Sequence, residues 1–327
     1  MSKNRLLRVK LTIFFTYFIS SFFFSQDYTR YYELIDSANY FKSVRDDIKV
    51  DQYYVQSLSS YRGFPDDYSS AILYNYFVNK KLSDTLIKKA FNDGLTFRDF
   101  KSTLNLNNIV FSEKQIKKLY RKNKLKITTS CIKLYRLLIR DQISRNTKRG
   151  NMQKTDSITG QKLIKLLRIK PELFDRFKTG FLGSEILDIL MIHSGWKNLN
   201  IIQDSIYELT RKGFIKRETF ANIIERDAFT EGTVFEIDSS NTKIIAYDNK
   251  KLLLCDFYYP NICFNYGRVY DKERKKTILP PTHPYLTEDK LNSLRSHLFL
   301  SDINLLYSNP SYLKVTQEEY CKSKSFK

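Results

Sequence analysis

From residue 27 to about Tyr120 the apolar side chains recur every three or four positions rather than every second one, which predicts a run of amphipathic helices. Gly63-Phe64-Pro65-Asp66 breaks that run, with Asp66 or Asp67 placed to cap the helix that follows. Asn92-Asp93-Gly94 closes the next stretch, glycine supplying a left-handed stop. Further helices are predicted over Leu125 to Arg145, with Ile132, Tyr135, Leu138 and Ile139 on one face, and over Thr159 to Arg168, Gly183 to Trp196, Leu199 to Lys212, Arg217 to Asp227 and Glu288 to Leu298. Between the first two, Asn146 to Asp156 loses periodicity around Gly150 and reads as a loop or mobile lid. Val234 to Tyr270 is β-rich; within it Lys251 to Tyr258 and Ile262 to Tyr270 read as strands turning at Tyr259-Pro260-Asn261.

The first residues follow a different order. Lys3, Arg5, Arg8 and Lys10 precede a mostly apolar run from Leu11 to Phe24, and Ser25-Gln26 follow, which is the arrangement of a secretory signal peptide. The run falls short of the roughly 20 residues needed to span a bilayer, so cleavage and a periplasmic or secreted location are expected. Phe23 stands where a small side chain is usual before the cut, so an uncleaved anchor in the inner membrane is the alternative; a buried N-terminal helix is the third reading. The chain then divides into a signal peptide (1–25), a helical module (26–120) and an α+β domain (121–317). Ten Gly and seven Pro in 327 residues are too few for the turns of an all-β plan, so the expected fold class is mostly α with a small β element. Tyr and Phe, 23 and 24 in number, supply core mass rather than a ligand box.

Charge narrows the partners. The net charge is +20, and removal of residues 1–25 leaves it near +16. For an exported chain that balance points to an envelope protein or peptide, an anionic lipid or a polysaccharide, and not to nucleic acid. The densest basic cluster, Lys114 to Lys126, also fits a solvated helix face. Four cysteines allow three pairings; Cys255 and Cys263 would face one another across the expected hairpin, while free buried thiols are the alternative. No Cys-x-x-Cys or His-x-x-x-His spacing is present, so no metal site is expected, and neither a Gly-x-Ser-x-Gly nor a phosphate-binding glycine loop implies a cofactor or nucleophile.

Ala38, Phe41, Val50, Tyr54 and Ser57 share their offsets with Ala71, Tyr74, Ser83, Ile87 and Ala90, displaced by 33 residues. Small residues that admit close helix approach, beside rings that fill the gap, resemble a degenerate tetratricopeptide repeat over Tyr31 to Leu95. That resemblance implies an interaction module, a groove that receives a peptide or protein. A helical hairpin pair that packs on the second domain is the competing reading.

In the second half, Asp141-Gln142-x-x-Arg145, His193, Glu225-Arg226 and Tyr266-Gly267 occur in the order of an uncharacterised, often exported bacterial family, which the stretch from Leu125 to Leu306 resembles. Ile192, Glu225 and Arg268-Val269 depart from that family's usual Gln, Asp and Thr-Gln. The resemblance nominates His193, Asp141, Arg145, Glu225 and Arg226 as candidate catalytic residues and Gln142, Tyr266 and Gly267 as candidate binding residues. His193 can exchange a proton near neutrality, Asp141 can fix its tautomer, and Arg145 or Arg226 can grip an anionic substrate in a two-pronged fashion. Against this, Ile186, Ile189 and Leu190 put His193 on an apolar helix face, where a hydrogen-bonded core histidine is the bland alternative, and Asp141 with Arg145 can be a local ion pair. Binding or scaffolding through the helical module is therefore the leading expectation, with an acid–base enzyme acting on an anionic or polysaccharide substrate as the alternative.

Overall fold

The computed structural model describes residues 27–320 apart from 79, 107–111, 147–150, 232, 239, 241–242, 248–252, 255–256, 259–268, 272–273, 280–286, 311 and 315–317. The fold is mostly α with small β elements, as expected from the sequence. None of the described helices is long and apolar enough to cross a membrane.

Four helices open the described chain as two hairpins: α1 (Thr29–Ser43) against α2 (Asp47–Ser60), and α3 (Pro65–Val78) against α4 (Lys80–Asp93). The break between hairpins falls at Gly63-Phe64, and Pro65 opens α3, where a missing backbone N–H costs nothing. Asp66 and Asp67 lie inside its first turn and not at the cap position expected of one of them, because the helix already begins at Pro65. Gly94 ends α4 with φ at 115°, the left-handed stop expected there. Ala38, Ser57, Ala71, Ser83 and Ala90 are all fully buried, so the small positions of the 33-residue offset do sit inside the hairpins. Helices α5 (Phe97–Leu106) and α6 (Glu113–Asn123) complete this half. Its core is aromatic: Tyr28, Tyr31, Tyr54, Phe64, Tyr68 and Phe91 form one buried cluster.

The second half is built on α7 (Ile132–Asn146), α8 (Met152–Ile169) and α9 (Arg176–Ser194). A short α10 (Trp196–Leu199) leads to α11 (Gln203–Arg211) and α12 (Arg217–Glu231). A second buried cluster, including Leu134, Leu163, Leu190, Trp196, Phe220 and Phe235, ties them together. Strands are short: β1 (Val234–Ile237) pairs with β2 (Ile244–Tyr247), and β3 (Leu253–Leu254) with β4 (Phe257–Tyr258). In the third sheet β6 (Lys276–Leu279) lies between β5 (Val269–Asp271) and the parallel β7 (Tyr312–Lys314); α13 (Glu288–His297) and α14 (Ile303–Tyr307) connect β6 to β7.

Three local expectations need correction. Helix α7 begins at Ile132, not Leu125, and Ile132, Tyr135 and Ile139 point to solvent while Leu134, Leu137 and Asp141 face inward. Helix α8 begins at Met152, capped by the Asn151 side chain, which accepts from Lys154 N at 2.9 Å; much of the expected lid is therefore helix. The segment 251–258 is not one strand, because Leu253 pairs with Tyr258 and Leu254 with Phe257, so the chain reverses before Tyr259. Cys255 and Cys263 lie outside the described residues, whereas Cys131 is a free, half-buried thiol.

The two halves are joined by buried cations. Arg176, 1% exposed, donates to the carbonyls of Gly63, Arg62 and Gly213, each at 2.6 Å, and its guanidinium lies 3.9 Å from the Phe64 ring centroid. Arg217 forks onto Asp36 of α1 and also donates to the Phe299 carbonyl at 2.9 Å. Phe181 of α9 enters the aromatic cluster of the first half.

Candidate functional site

Helices α7, α8, α9 and α12 converge on one polar cluster. Asp141 is on the inner face of α7, and its carboxylate is fully buried. Arg145, one turn on, closes a two-pronged bond to it, Nε to Oδ2 and Nη2 to Oδ1, both at 3.0 Å. His193, in the last turn of α9, presents Nδ1 to Asp141 Oδ2 at 2.6 Å. Gln142 Nε2 donates to the same Oδ2 at 3.2 Å. Of the three residues of the apolar-face reading Ile186 and Leu190 are buried below His193, but Ile189 is 37% exposed, and the imidazole side chain keeps 26% of its surface in solvent. The ring is thus anchored at Nδ1 on a side chain that is not fully enclosed.

Burial works against ionising Asp141, but the hydrogen bonds from His193 and Arg145 and their charges outweigh it and hold the carboxyl below its ordinary value. For Arg145 the balance is similar: desolvation opposes its charge, and the Asp141 and Asp156 carboxylates overcome it, so the guanidinium is held more firmly protonated than usual. An ionised carboxylate can only accept, so the imidazole nitrogen facing it carries the hydrogen, and in the neutral tautomer of that ring the lone pair is on Nε2.

Asp156, at the end of the stretch expected to be a loop, completes the cluster from the second turn of α8. One of its oxygens accepts from Arg145, and the other accepts from Arg226 Nη2 at 2.6 Å. Arg226, from α12, also donates from Nη1 to the carbonyls of both Ile192 and His193. It thereby holds the C-terminal turn of α9 in place. The signal that marks Asp156 in the sequence is local: Asn151 as a cap puts a helix start just ahead of it.

Gly195 and Asp227 are also missed by sequence reasoning. Gly195 ends α9 with φ at 70°, and a Cβ there would press on Asp227 Oδ1 and sit 3.1 Å from Arg226 Nη1. Asp227 Oδ2 accepts from Lys197 N at 2.8 Å, so the same carboxylate steers the chain into α10. Beside the cluster lies a cavity of about 350 Å³, lined by Lys154, Asp156, Lys197, Asn198, Arg226 and Asp227 among others.

Of the residues nominated by sequence, Asp141, Gln142, Arg145, His193 and Arg226 meet within hydrogen-bonding distance of one another or through Asp156. Two roles change. Both arginine forks are engaged by Asp141, Asp156 and main-chain carbonyls, so they position the cluster instead of standing ready to grip an anion. Glu225 is fully buried, away from solvent and from any incoming substrate. Tyr266 and Gly267 lie outside the described residues. Among the described residues no group of His, Cys, Asp and Glu has the arrangement of a metal site. The chain matches no protein-family model, and neither a curated protein nor a solved structure gives a significant match.

Proposed function

We propose that the protein is an exported envelope enzyme whose second half transfers a proton through His193, acting on an anionic or saccharide-bearing substrate. In this reading Asp141 fixes the Nδ1–H tautomer and stabilises the imidazolium that forms when Nε2 takes a proton. Arg145 and Asp156 hold Asp141 ionised and in place, and Arg226 locks the helix end that carries the imidazole. The adjoining cavity, lined by Lys154 and Lys197 but not by His193, is where an anionic group of the substrate remote from the reacting atom would rest. One observation carries the proposal: a ring nitrogen 2.6 Å from a fully buried carboxylate, on an imidazole that solvent still reaches.

A second reading keeps the leading sequence expectation, a tetratricopeptide-like module that binds an envelope protein or peptide. It is favoured by the burial of Ala38, Ser57, Ala71, Ser83 and Ala90 within the hairpins. The first reading is preferred because Phe181 and Arg176 of α9 occupy the aromatic end of that module, which gives it a supporting role.

The test is histidine-selective carbethoxylation of the folded protein, read by peptide mass spectrometry. His193 should react at Nε2, and Asp141→Asn should change its rate several-fold without unfolding the chain. An inert His193 in folded protein would remove the proposal. Where turnover is found on a panel of chromogenic esters, phosphates and glycosides, His193→Ala should lower it by about 10²-fold or more.

A further inference from the structure

Helix α7 has two apolar faces, and only one of them is used by the fold. Leu134 and Leu137 are buried beside Asp141. On the opposite side Ile132, Tyr135, Ile139 and Ile143 are 54%, 50%, 42% and 59% exposed. Their spacing of three, four and four residues aligns them in one stripe about 16 Å long. Isolated exposed aliphatic residues need no explanation, but a continuous stripe along a helix does.

Lys133, Arg136 and Arg140 lie exposed along one flank of that stripe. Just ahead of the helix, Lys124, Lys126 and Ile127 are exposed as well, extending the same mixture of cation and aliphatic chain. From residue 124 to 143 the single acid is Asp141, which is buried on the inner face and bonded to Arg145 and His193. The outward surface of this segment therefore carries cations and grease with no negative charge.

From this arrangement we infer that the outer face of α7 docks on an anionic lipid surface. The cations draw the face to the headgroups, and the isoleucines and Tyr135 then enter the boundary with the acyl chains, where a tyrosine ring is at home. A soluble polyanion would engage the cations but leave the isoleucines in water, so the stripe is the feature that favours lipid. The inference stands apart from the acid–base proposal, because it rests on the opposite side of the helix and needs no proton transfer.

The chain has one tryptophan, Trp196, and it is 3% exposed, so a second indole on the stripe reports that face alone. Full-length Tyr135→Trp is mixed with vesicles of phosphatidylcholine, with and without phosphatidylglycerol. The expected result is a blue-shifted emission, quenched by brominated acyl chains, with the anionic vesicles only, and reversed by salt. Arg136→Gln with Arg140→Gln should weaken partitioning about 30-fold, at about fivefold per surface charge. Ile139→Ser with Ile143→Ser should abolish the shift while leaving the circular dichroism spectrum unchanged. The inference is overturned if emission does not move although the protein sediments with vesicles, since the N-terminal apolar run would then be the attachment. It is equally overturned if the shift appears without vesicles as protein concentration rises, or if an oligonucleotide or heparin binds as tightly and the isoleucine substitutions have no effect.

Discussion

Replacing Arg176 by Met should uncouple the two halves of the molecule. The guanidinium donates to three main-chain carbonyls at 2.6 Å, two from the turn between α2 and α3 and one from Gly213 before α12. Methionine fills much of the volume and removes the desolvation cost of a buried cation. It leaves the carbonyls of Gly63 and Gly213, both in buried residues, without their donor, and the third partly so. An unsatisfied buried acceptor costs about 1–3 kcal/mol, so the net loss expected is about 3–5 kcal/mol. Lysine keeps the charge but cannot span three acceptors with one ammonium, and should cost about 2 kcal/mol. Urea unfolding reads the outcome. Trp196, packed on Phe220 and Phe235 in the second core, reports that half, and hydrogen exchange over residues 28–95 reports the first. In the wild type the two transitions should coincide, and in Arg176→Met the helical module should open at lower urea than Trp196. Coincident transitions with a loss below about 1 kcal/mol would show that apolar contact through Phe181, and not the arginine, joins the halves.

Stability should fall as pH rises between about 4 and 7, because burial raises two carboxyls at the junction cavity, Asp188 to about 7 and Asp67 to about 6. The folded state then binds more protons than the unfolded one across that window, and the loss is at most about 1.4 kcal/mol per pH unit for each group. Asp188→Asn should flatten the dependence and raise the urea midpoint at pH 8; a wild-type midpoint that climbs with pH would contradict the sign. Gly195→Ala should cost about 1–3 kcal/mol in urea unfolding through its positive φ and the pressure on Asp227. By displacing the end of α9 it should also shrink the difference in His193 carbethoxylation rate between proteins with Asp141 intact and those carrying Asp141→Asn.

The candidate cluster was nominated by the order of its polar elements, through a resemblance, and helical spacing alone pointed instead to a core histidine and a local ion pair. Asp141 and Arg145 are one turn apart, whereas His193, in the last turn of α9, and Arg226, inside α12, meet them only through the packing of those helices. Asp156 is harder to see because Asn151, its structural cue, stands in a stretch without apolar period. Helix α7 misleads for a different reason: Ile132, Tyr135, Ile139 and Ile143 form a more regular stripe than Leu134 and Leu137, and period alone cannot say which of two apolar faces meets the core. The β segment fails by register, since Leu253 to Tyr258 fits either one long strand or the tight antiparallel pair that forms. Arg176 carries no mark in the sequence at all. Its role exists only through carbonyls more than thirty residues away in either direction.

The span of that last contact shapes how the chain is made. Gly63 leaves the ribosome 113 residues before Arg176, which at ordinary synthesis rates is an interval on the order of ten seconds. During it the rings of Tyr28 and Phe64 lack the arginine that lies over them in the finished molecule, and the cluster lacks Phe181. The nascent helical half thus keeps that aromatic surface uncovered until α9 emerges and closes over it.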